Sequence, residues 1–440
     1  MDLSPSGRAL ESWLSATPVL VDAPEADSEL ICRHFGAGEV LLAKLPAKRQ
    51  RSSDQKQIAA RIHGESRKLR RLFLSRHAGW LYDRLTNDRT RPLRMNELAF
   101  AAGECFPGLV PTRRTIAKER ALLQAEKEGY EIDQGLFFQA MLRSPDVGMH
   151  IVEGALRPTP RAIELLACFR SGGRLDLGSI LIERRDRAAH LTINNPSCLN
   201  AEDDQLVDDL ETAVDLALLD PNVCVGVLRG GIMTHPRYAG RRLFSAGINL
   251  KALRDGQISY VDFLLRRELG FISKLMRGIR PVDDSVECQE KPWIAAVDGF
   301  AIGGGAQLLL VFDHVIAAAD SYLSLPAANE GIVPGFANLR LTRAVGSRIA
   351  RQVVLCGRKI WASEPDARLL VDQVVDPARI DATIDAQIAV FSAPAAIANR
   401  HMLHVSEEPK ELFLRYAAEF ALVQAERLYS SDVLNKGTAA

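Results

Sequence analysis

An excess of one charge sign is missing from this chain. Its 55 Lys and Arg balance 55 Asp and Glu over 440 residues, so no long-range field draws it to nucleic acid or to an anionic membrane. Long apolar runs are missing too. No window reaches the roughly 18 apolar residues of a membrane span, and the acidic N-terminus lacks the basic start and apolar core of a secretory leader. Cysteine is sparse and unpatterned: Cys32, Cys105, Cys168, Cys198, Cys224, Cys288 and Cys356 are odd in number and hold no C-x-x-C pair. That suits reduced thiols in a cytoplasm, with no disulfide needed for folding. No H-E-x-x-H, Walker loop or G-x-G-x-x-G occurs, and the nine histidines show no ligand spacing. A bound metal or dinucleotide therefore has no sequence support, and the chemistry falls to ordinary side chains and backbone.

What is present divides the chain in two. Between Ser53 and Leu85, Ile58, Ile62, Leu69, Leu72, Phe73, Trp80 and Leu81 recur mostly at helical spacing, which predicts an amphipathic helix. Its basic residues Lys48, Arg49, Arg51, Arg67, Lys68, Arg70 and Arg71 read as a solvated face, the alternative being a contact with phosphate or an acidic partner. Further helices are expected over 113–128 and 132–143, and another from Thr159, a helix-capping threonine followed by Pro160. Residues 1–172 thus read as an all-helical N-terminal domain. Beyond Ser171-Gly172-Gly173 strands alternate with helices, with strands expected over 180–183, 189–193, 223–228 and 293–297 and a helix over 202–219. Residues 178–440 read as an α/β domain that ends in a helical C-terminal segment from about 380.

Two loops in the second half carry small residues where backbone amides can approach a ligand. One is Phe244-Ser245-Ala246-Gly247-Ile248-Asn249-Leu250-Lys251. The other is Gly299-Phe300-Ala301-Ile302-Gly303-Gly304-Gly305-Ala306-Gln307, which follows a buried strand and opens an apolar helix expected over 308–312. Taken singly, each reads as readily as a tight turn.

Together they resemble the crotonase superfamily. Lys291 to Gly305 is similar to that family's K-P-x-I-A-A-V-x-G-x-A-x-G-G-G stretch, and Phe244 to Lys251 to its F-S-A-G-x-D-L-K loop with Asn249 in place of the acid. Asn194-Asn195-Pro196 with Asn200-Ala201, and Pro334-Gly335 with Leu341 to Gly346, resemble its first and last motifs. The resemblance covers about 178–440 and implies a crotonase-like spiral of ββα turns, assembled as trimers or hexamers. It also implies an oxyanion hole for a thioester carbonyl, made from the backbone N–H groups of Ile248 and Gly304. Ala246, Gly247, Asn249, Leu250 and Lys251 would line the coenzyme A channel. Lys251 reads equally as an exposed helix lysine.

The departures from that pattern bear on the reaction. Hydratases of the family carry a glutamate three residues after the middle glycine and another after the proline that precedes the G-x-x-P-G turn; here Gln307 and Ala327 stand at those places. Neither exchanges a proton with water as a carboxylate does, and Glu330 lies three positions too far along. The long helical N-terminal region, the Gly230 to Tyr238 insertion and Gln307 resemble the 3,5-dihydroxyphenylacetyl-CoA 1,2-dioxygenases of glycopeptide antibiotic pathways. That likeness implies an acyl-CoA thioester and O2 as substrates, no metal or flavin cofactor, and 3,5-dihydroxyphenylglyoxylate and free coenzyme A as products. Catalysis would rest on Ile248, Gly304 and Gln307. Ring hydroxyls would meet Glu202, Arg267 and Gln307, with Val333, Pro334 and Gly335 beside the acyl group. Ile332, with Val433 of the tail, would shape an oxygen pocket. Core packing accounts equally for the aliphatics, and a surface cap or ion pair for Glu202 and Arg267. His235 is a candidate base, although a loop histidine without a visible partner serves as readily without one. Another crotonase-type isomerase, hydratase or thioester hydrolase, and a noncatalytic acyl-CoA-binding protein, are the competing classes.

Overall fold

Ser52 and Gln55 exchange side-chain to backbone hydrogen bonds, a reciprocal cap that opens the helix Ser53–Thr86; Asn87, left-handed at φ 52°, closes it. In the computed structural model, which describes residues 5–281 and 288–434, this helix is the spine of the first of two compact units, made of 1–151, 254–261 and 417–440. No strand occurs in this unit among the described residues. Ile62, Leu69, Phe73 and Leu81 of the spine are buried, as the periodicity predicts, whereas Leu72 is exposed. Its basic residues depart from a solvated face. Arg51 and Arg70 are buried, Arg51 paired with Glu128 at 2.5 Å and Arg70 with Asp133 at 3.0 Å while also donating to the carbonyls of Leu109 and Gly108. Arg49, Lys68 and Arg71 remain outside. Arg51 lies just before the helix and Arg70 on its inward side, and each finds a carboxylate there.

The second unit comprises 152–253 and 262–416. Its strands are β1 (Arg174–Asp176), β2 (Ile180–Arg185), β3 (Ala188–Ile193), β4 (Val225–Gly230), β5 (Trp293–Val297), β6 (Phe300–Ile302), β7 (His314–Ala318), β8 (Tyr322–Ser324), β9 (Lys359–Trp361) and β10 (Gln373–Val375). One sheet has the order β1-β2-β3-β4-β5-β7-β10, antiparallel at its first two pairings and parallel from β3 onward. β5 is buried along its whole length, as a strand covered on both faces must be. A smaller sheet, β6-β8-β9, stands beside it. The helices Ile380–Phe391 and Asp204–Leu219 belong to this unit, and Ile380 and Ile384 pack against Val225, Ile294 and Ile316 of the large sheet. No single described helix is long and apolar enough to cross a membrane.

The sequence-based boundary at 172/178 does not coincide with the division into units. The helix Pro160–Gly172, capped by Thr159 as expected, sits in the second unit, where Arg161 pairs with Asp208 and Asp209 and the Thr159 N–H donates to Asp215. The chain's last helical residues, in turn, belong to the first unit. There Gly135 lies so close to Ala425 that a Cβ would stand 2.7 Å from it, Tyr260 donates to the Ala421 carbonyl, and Tyr429 donates to Glu131. Deleting residues 1–170 would therefore strip Phe420, Ala421 and Leu428 of their packing and remove Arg161 from its carboxylates. We expect the fragment to be insoluble or inactive, measured as soluble yield and specific activity; a soluble, fully active fragment would contradict this.

Candidate active site

The two small-residue loops lie against each other. Ser245 pairs with Ala301 in parallel register, Ile302 N donates to the Ser245 carbonyl at 2.9 Å, and a Cβ at Gly247 would stand 3.1 Å from the Gly304 nitrogen. Gly247 (φ +81°) needs its glycine for both reasons, conformation and closeness. The early motif clamps the first loop. The Asn200 side chain donates to the Leu243 and Phe244 carbonyls, and its own carbonyl accepts from the Ser245 hydroxyl, which in turn receives the Gly247 N–H. Glu202 and Ile248 pair in parallel, leaving the Ile248 N–H outside the ladder, and Gly304 is the first residue of a short helix, Gly304–Leu308. Among the described residues neither amide donates to a backbone acceptor. Two half-buried N–H groups on adjoining loops are what an oxyanion requires. The expected apolar helix at 308–312 is instead the tail of this short helix followed by a single tight turn at Leu309–Val311.

Behind Gly304 lies a buried polar cluster. Arg267 and Glu268 stand on a wide-turn helical segment, Arg267–Ile272, of the kind often found at functional sites. Arg267 holds Glu202 through Nε at 2.5 Å and Nη2 at 3.2 Å, Glu268 through Nη1 at 3.0 Å, the Gln307 Oε1 through Nη1 at 2.8 Å, and the Gly304 carbonyl through Nη2 at 2.8 Å. These are five bonds from five N–H groups. Gln307 Nε2 donates to Glu268 Oε1, and Phe336 N reaches Glu268 Oε2 at 3.3 Å. Arg340 lies 3.8 Å from Glu268 and pairs with Glu408 at 3.0 Å, and Glu408 also pairs with Arg277. Burial raises the affinity of Glu268 for a proton, while Arg267 and Arg340 oppose that shift. Glu408 is likewise buried, but Arg340 and Arg277 bring its pKa down to about 2. The cluster reads as alternating carboxylates and guanidiniums, each charge facing one of opposite sign.

Glu202, Arg267, Gln307, Gly304 and Ile248, singled out from sequence, are thus brought together with Gly247. Glu202 is corrected in one respect: it lies before the helix, which Asp203 caps, and it is 2% exposed, so it is no surface cap. Arg267, expected to meet a ligand, gives every N–H to the protein. Gly335 joins the cluster closely: a Cβ there would stand 1.9 Å from Gln307 Nε2 and 2.1 Å from Glu268 Oε1, and Pro334 beside it is buried. Ile332 and Val333 are half-buried in the same turn, and Ala327 is buried. Asn249 caps the helix Leu250–Arg254 by accepting from Ala252 N, and Leu250 and Lys251 are exposed. Val433 is buried in the first unit, and His235 accepts from Arg237 N at 3.3 Å in a turn of its own. Sequence reasoning missed Glu268, Arg340 and Glu408. The signal for the first was visible as Arg266-Arg267-Glu268 inside the apolar stretch Val261 to Ile272: charges within such a run are buried, and buried charges are paired.

Matches to known proteins agree with this geometry. The enoyl-CoA hydratase/isomerase family model fits residues 183–408, just over half of the chain. A (3,5-dihydroxyphenyl)acetyl-CoA 1,2-dioxygenase of Amycolatopsis orientalis is 54% identical over 96% of this chain and 97% of its own length. A probable enoyl-CoA hydratase of Rhizobium meliloti is 31% identical over 60% of this chain and 94% of its own. Among solved structures, an enoyl-CoA hydratase of Mycobacterium avium subsp. paratuberculosis aligns with a TM-score of 0.50 at 23% identity, spanning 60% of this chain and all of that one, a likeness of fold alone. The matched residues span both interlocked loops, and the chain belongs to the enoyl-CoA hydratase/isomerase family, the crotonases.

Proposed function

We propose that the protein is a (3,5-dihydroxyphenyl)acetyl-CoA 1,2-dioxygenase, an oxidoreductase acting on an acyl-CoA thioester and O2. The observation that carries this is the 54% identity to a relative of that activity over 96% of the chain, helical unit included, where the hydratase relative matches only 60%. The site supports it. Gln307 and Ala327 stand where a hydratase needs two carboxylates, and Gln307 is 3% exposed with its carbonyl and one N–H already engaged.

The chemistry follows from the substrate. An arylacetyl thioester loses an α-proton to give an enolate whose oxygen the Ile248 and Gly304 amides bind, each such donor contributing about 3 kcal/mol. That enolate is electron-rich and passes one electron to triplet O2; recombination forms a C–O bond and a peroxide, which attacks the thioester carbonyl and expels the thiolate, and loss of the remaining α-proton with cleavage of the O–O bond leaves the α-keto carboxylate. ArCH2CO–SCoA plus O2 becomes ArCO–CO2H plus HSCoA, and atoms balance without a metal or flavin. In this reading Glu202 accepts from a ring hydroxyl, Gln307 donates its remaining N–H, and Arg267 orients both. Ile332, Val333 and Pro334 supply apolar walls that exclude water, while Ala246, Gly247, Asn249, Leu250 and Lys251 border the coenzyme A moiety. Trimeric or hexameric assembly belongs to the same reading, supported by the exposed Met402, Leu403 and Val405 on the helix Pro394–Glu407. So does a cytoplasmic setting, in which the arylglyoxylate feeds an arylglycine of a glycopeptide antibiotic.

The test is an oxygen-electrode assay with 3,5-dihydroxyphenylacetyl-CoA after exhaustive chelation. We expect one O2 consumed per coenzyme A thiol released, unchanged by EDTA. Loss of activity on chelation with rescue by iron would refute the cofactor-free reading, and turnover without O2 uptake would point to a hydratase, isomerase or hydrolase.

A further inference from the structure

The cluster contains a carboxylate that none of the family motifs supplies, and its bonds fix what the pocket can offer a ligand. Arg267 can only donate, so the Gln307 atom 2.8 Å from Nη1 must be its carbonyl oxygen, and the amide nitrogen must then face Glu268. Glu268 Oε1 takes both the Arg267 Nη1 and the Gln307 Nε2 donors, and its Oε2 takes Phe336 N. Three donors converge on it, as on an acceptor-only group. With the five N–H groups of Arg267 consumed, the capacity left on Arg267, Gln307 and Glu202 is one Nε2–H on Gln307 and the outer lone pairs of Glu202; the Nη1 of Arg340, unbonded among the described residues, stands on the Glu268 Oε2 side, 3.8 Å away. A pocket so arranged pairs one donor with one acceptor, the complement of two phenolic hydroxyls of which one accepts and the other donates. Without Glu268 the Gln307 amide is held at its carbonyl alone, and Arg267 loses one of the two carboxylates between which its guanidinium is held.

We propose that Glu268 is a positioning residue for the reaction: it locks the Gln307 amide and the Arg267 guanidinium in the one orientation that lets the pocket read the two ring hydroxyls of the substrate. The inference rests on the dioxygenase reading above and deepens it. Glu268 does not touch the substrate; it acts through Gln307 and, by way of Arg267, through Glu202. Gly335 marks the same constraint from the other side, since its missing Cβ is what leaves room for the Glu268–Gln307 pair.

The test compares 3,5-dihydroxyphenylacetyl-CoA with phenylacetyl-CoA, which lacks the ring hydroxyls, by anaerobic exchange of the α-protons into D2O; this reads enolate formation without O2. The wild-type protein should favour the dihydroxy substrate in kcat/KM. In Glu268→Gln that preference should fall on the order of 10- to 100-fold, the loss falling mainly on the dihydroxy substrate. Glu268→Asp keeps the charge but withdraws the carboxylate by one methylene, and it should lose the same preference; it carries the comparison if Glu268→Gln does not fold. An equal loss for both thioesters, which is what a merely structural role gives, overturns the proposal, and so does an undiminished preference in either variant. A wild-type protein that exchanges neither thioester, or does not distinguish them, overturns the dioxygenase reading and this proposal with it.

Discussion

Gln307→Glu is expected to slow dioxygenation by about 100-fold or more at pH 8, because the new carboxylate takes the place of an amide nitrogen that donates to Glu268. Two carboxylates roughly 3 Å apart at an effective dielectric near 20 repel by about 5 kcal/mol, so the pair holds a proton that a lone carboxylate would release. The sign of the pH dependence follows. Repulsion and burial both raise the affinity for a proton, so the neutral, amide-like form of residue 307 is populated below the raised pKa and lost above it. Activity of the variant, relative to wild type, should therefore recover as pH falls from 8 toward 6, measured by O2 uptake. Hydration of crotonyl-CoA should remain absent, since Ala327 still leaves the second carboxylate missing and one acid does not both hold and activate water. Undiminished dioxygenation with a flat pH profile would place residue 307 outside the reacting shell.

Lys274→Met is expected to cost about 3–5 kcal/mol of stability, because it removes the cation shared by two buried carboxylates. Lys274 is wholly buried and pairs with Glu211 at 2.8 Å and Asp215 at 2.6 Å, both equally buried. Glu211 keeps Arg266 as a partner, but among the described residues Asp215 would keep only the Thr159 N–H. Burial already raises the proton affinity of Asp215, and Lys274 is the main opposing influence. With the lysine gone, the folded-state pKa rises further above the unfolded one; the deficit is then greatest at neutral pH and shrinks as pH falls and Asp215 becomes protonated. Thermal unfolding should show a midpoint lower by about 5 °C at pH 8 and by distinctly less at pH 5. Lys274→Met with Asp215→Asn should regain much of the loss. A single variant within about 1 kcal/mol of wild type at pH 8 would mean that this charge is compensated by groups other than Glu211 and Asp215.

How much of the molecule is legible in its sequence varies with the kind of interaction. The strands at 180–185, 188–193 and 293–297 and the helix from Pro160 lie within a residue or two of where alternation, apolar runs and the Thr159-Pro160 cap place them, because those signals are local. The oxyanion loops are legible for the same reason, as glycines at fixed offsets. The helix Asp204–Leu219 is legible only on one face. Its apolar stripe of Leu206, Leu210, Val214 and Leu218 is buried, yet Asp209, Glu211 and Asp215 are buried too, and nothing in the spacing says that Lys274 and Arg161 arrive from elsewhere in the chain to meet them.

By itself, then, the sequence determined that the second half of the chain carries the crotonase motifs, that Ile248 and Gly304 stand on glycine-rich loops, and that Gln307 and Ala327 stand where the family's hydratases carry carboxylates, since each of these is written in contiguous residues. Only the tertiary structure decided that Glu268 enters the cluster, that Arg267 has no donor to spare, and that the chain's last helix belongs to the helical unit at the other end of the sequence. These depend on which distant segments share a buried volume, where an unpaired charge is too costly to remain and each group must find a partner across tens or hundreds of residues.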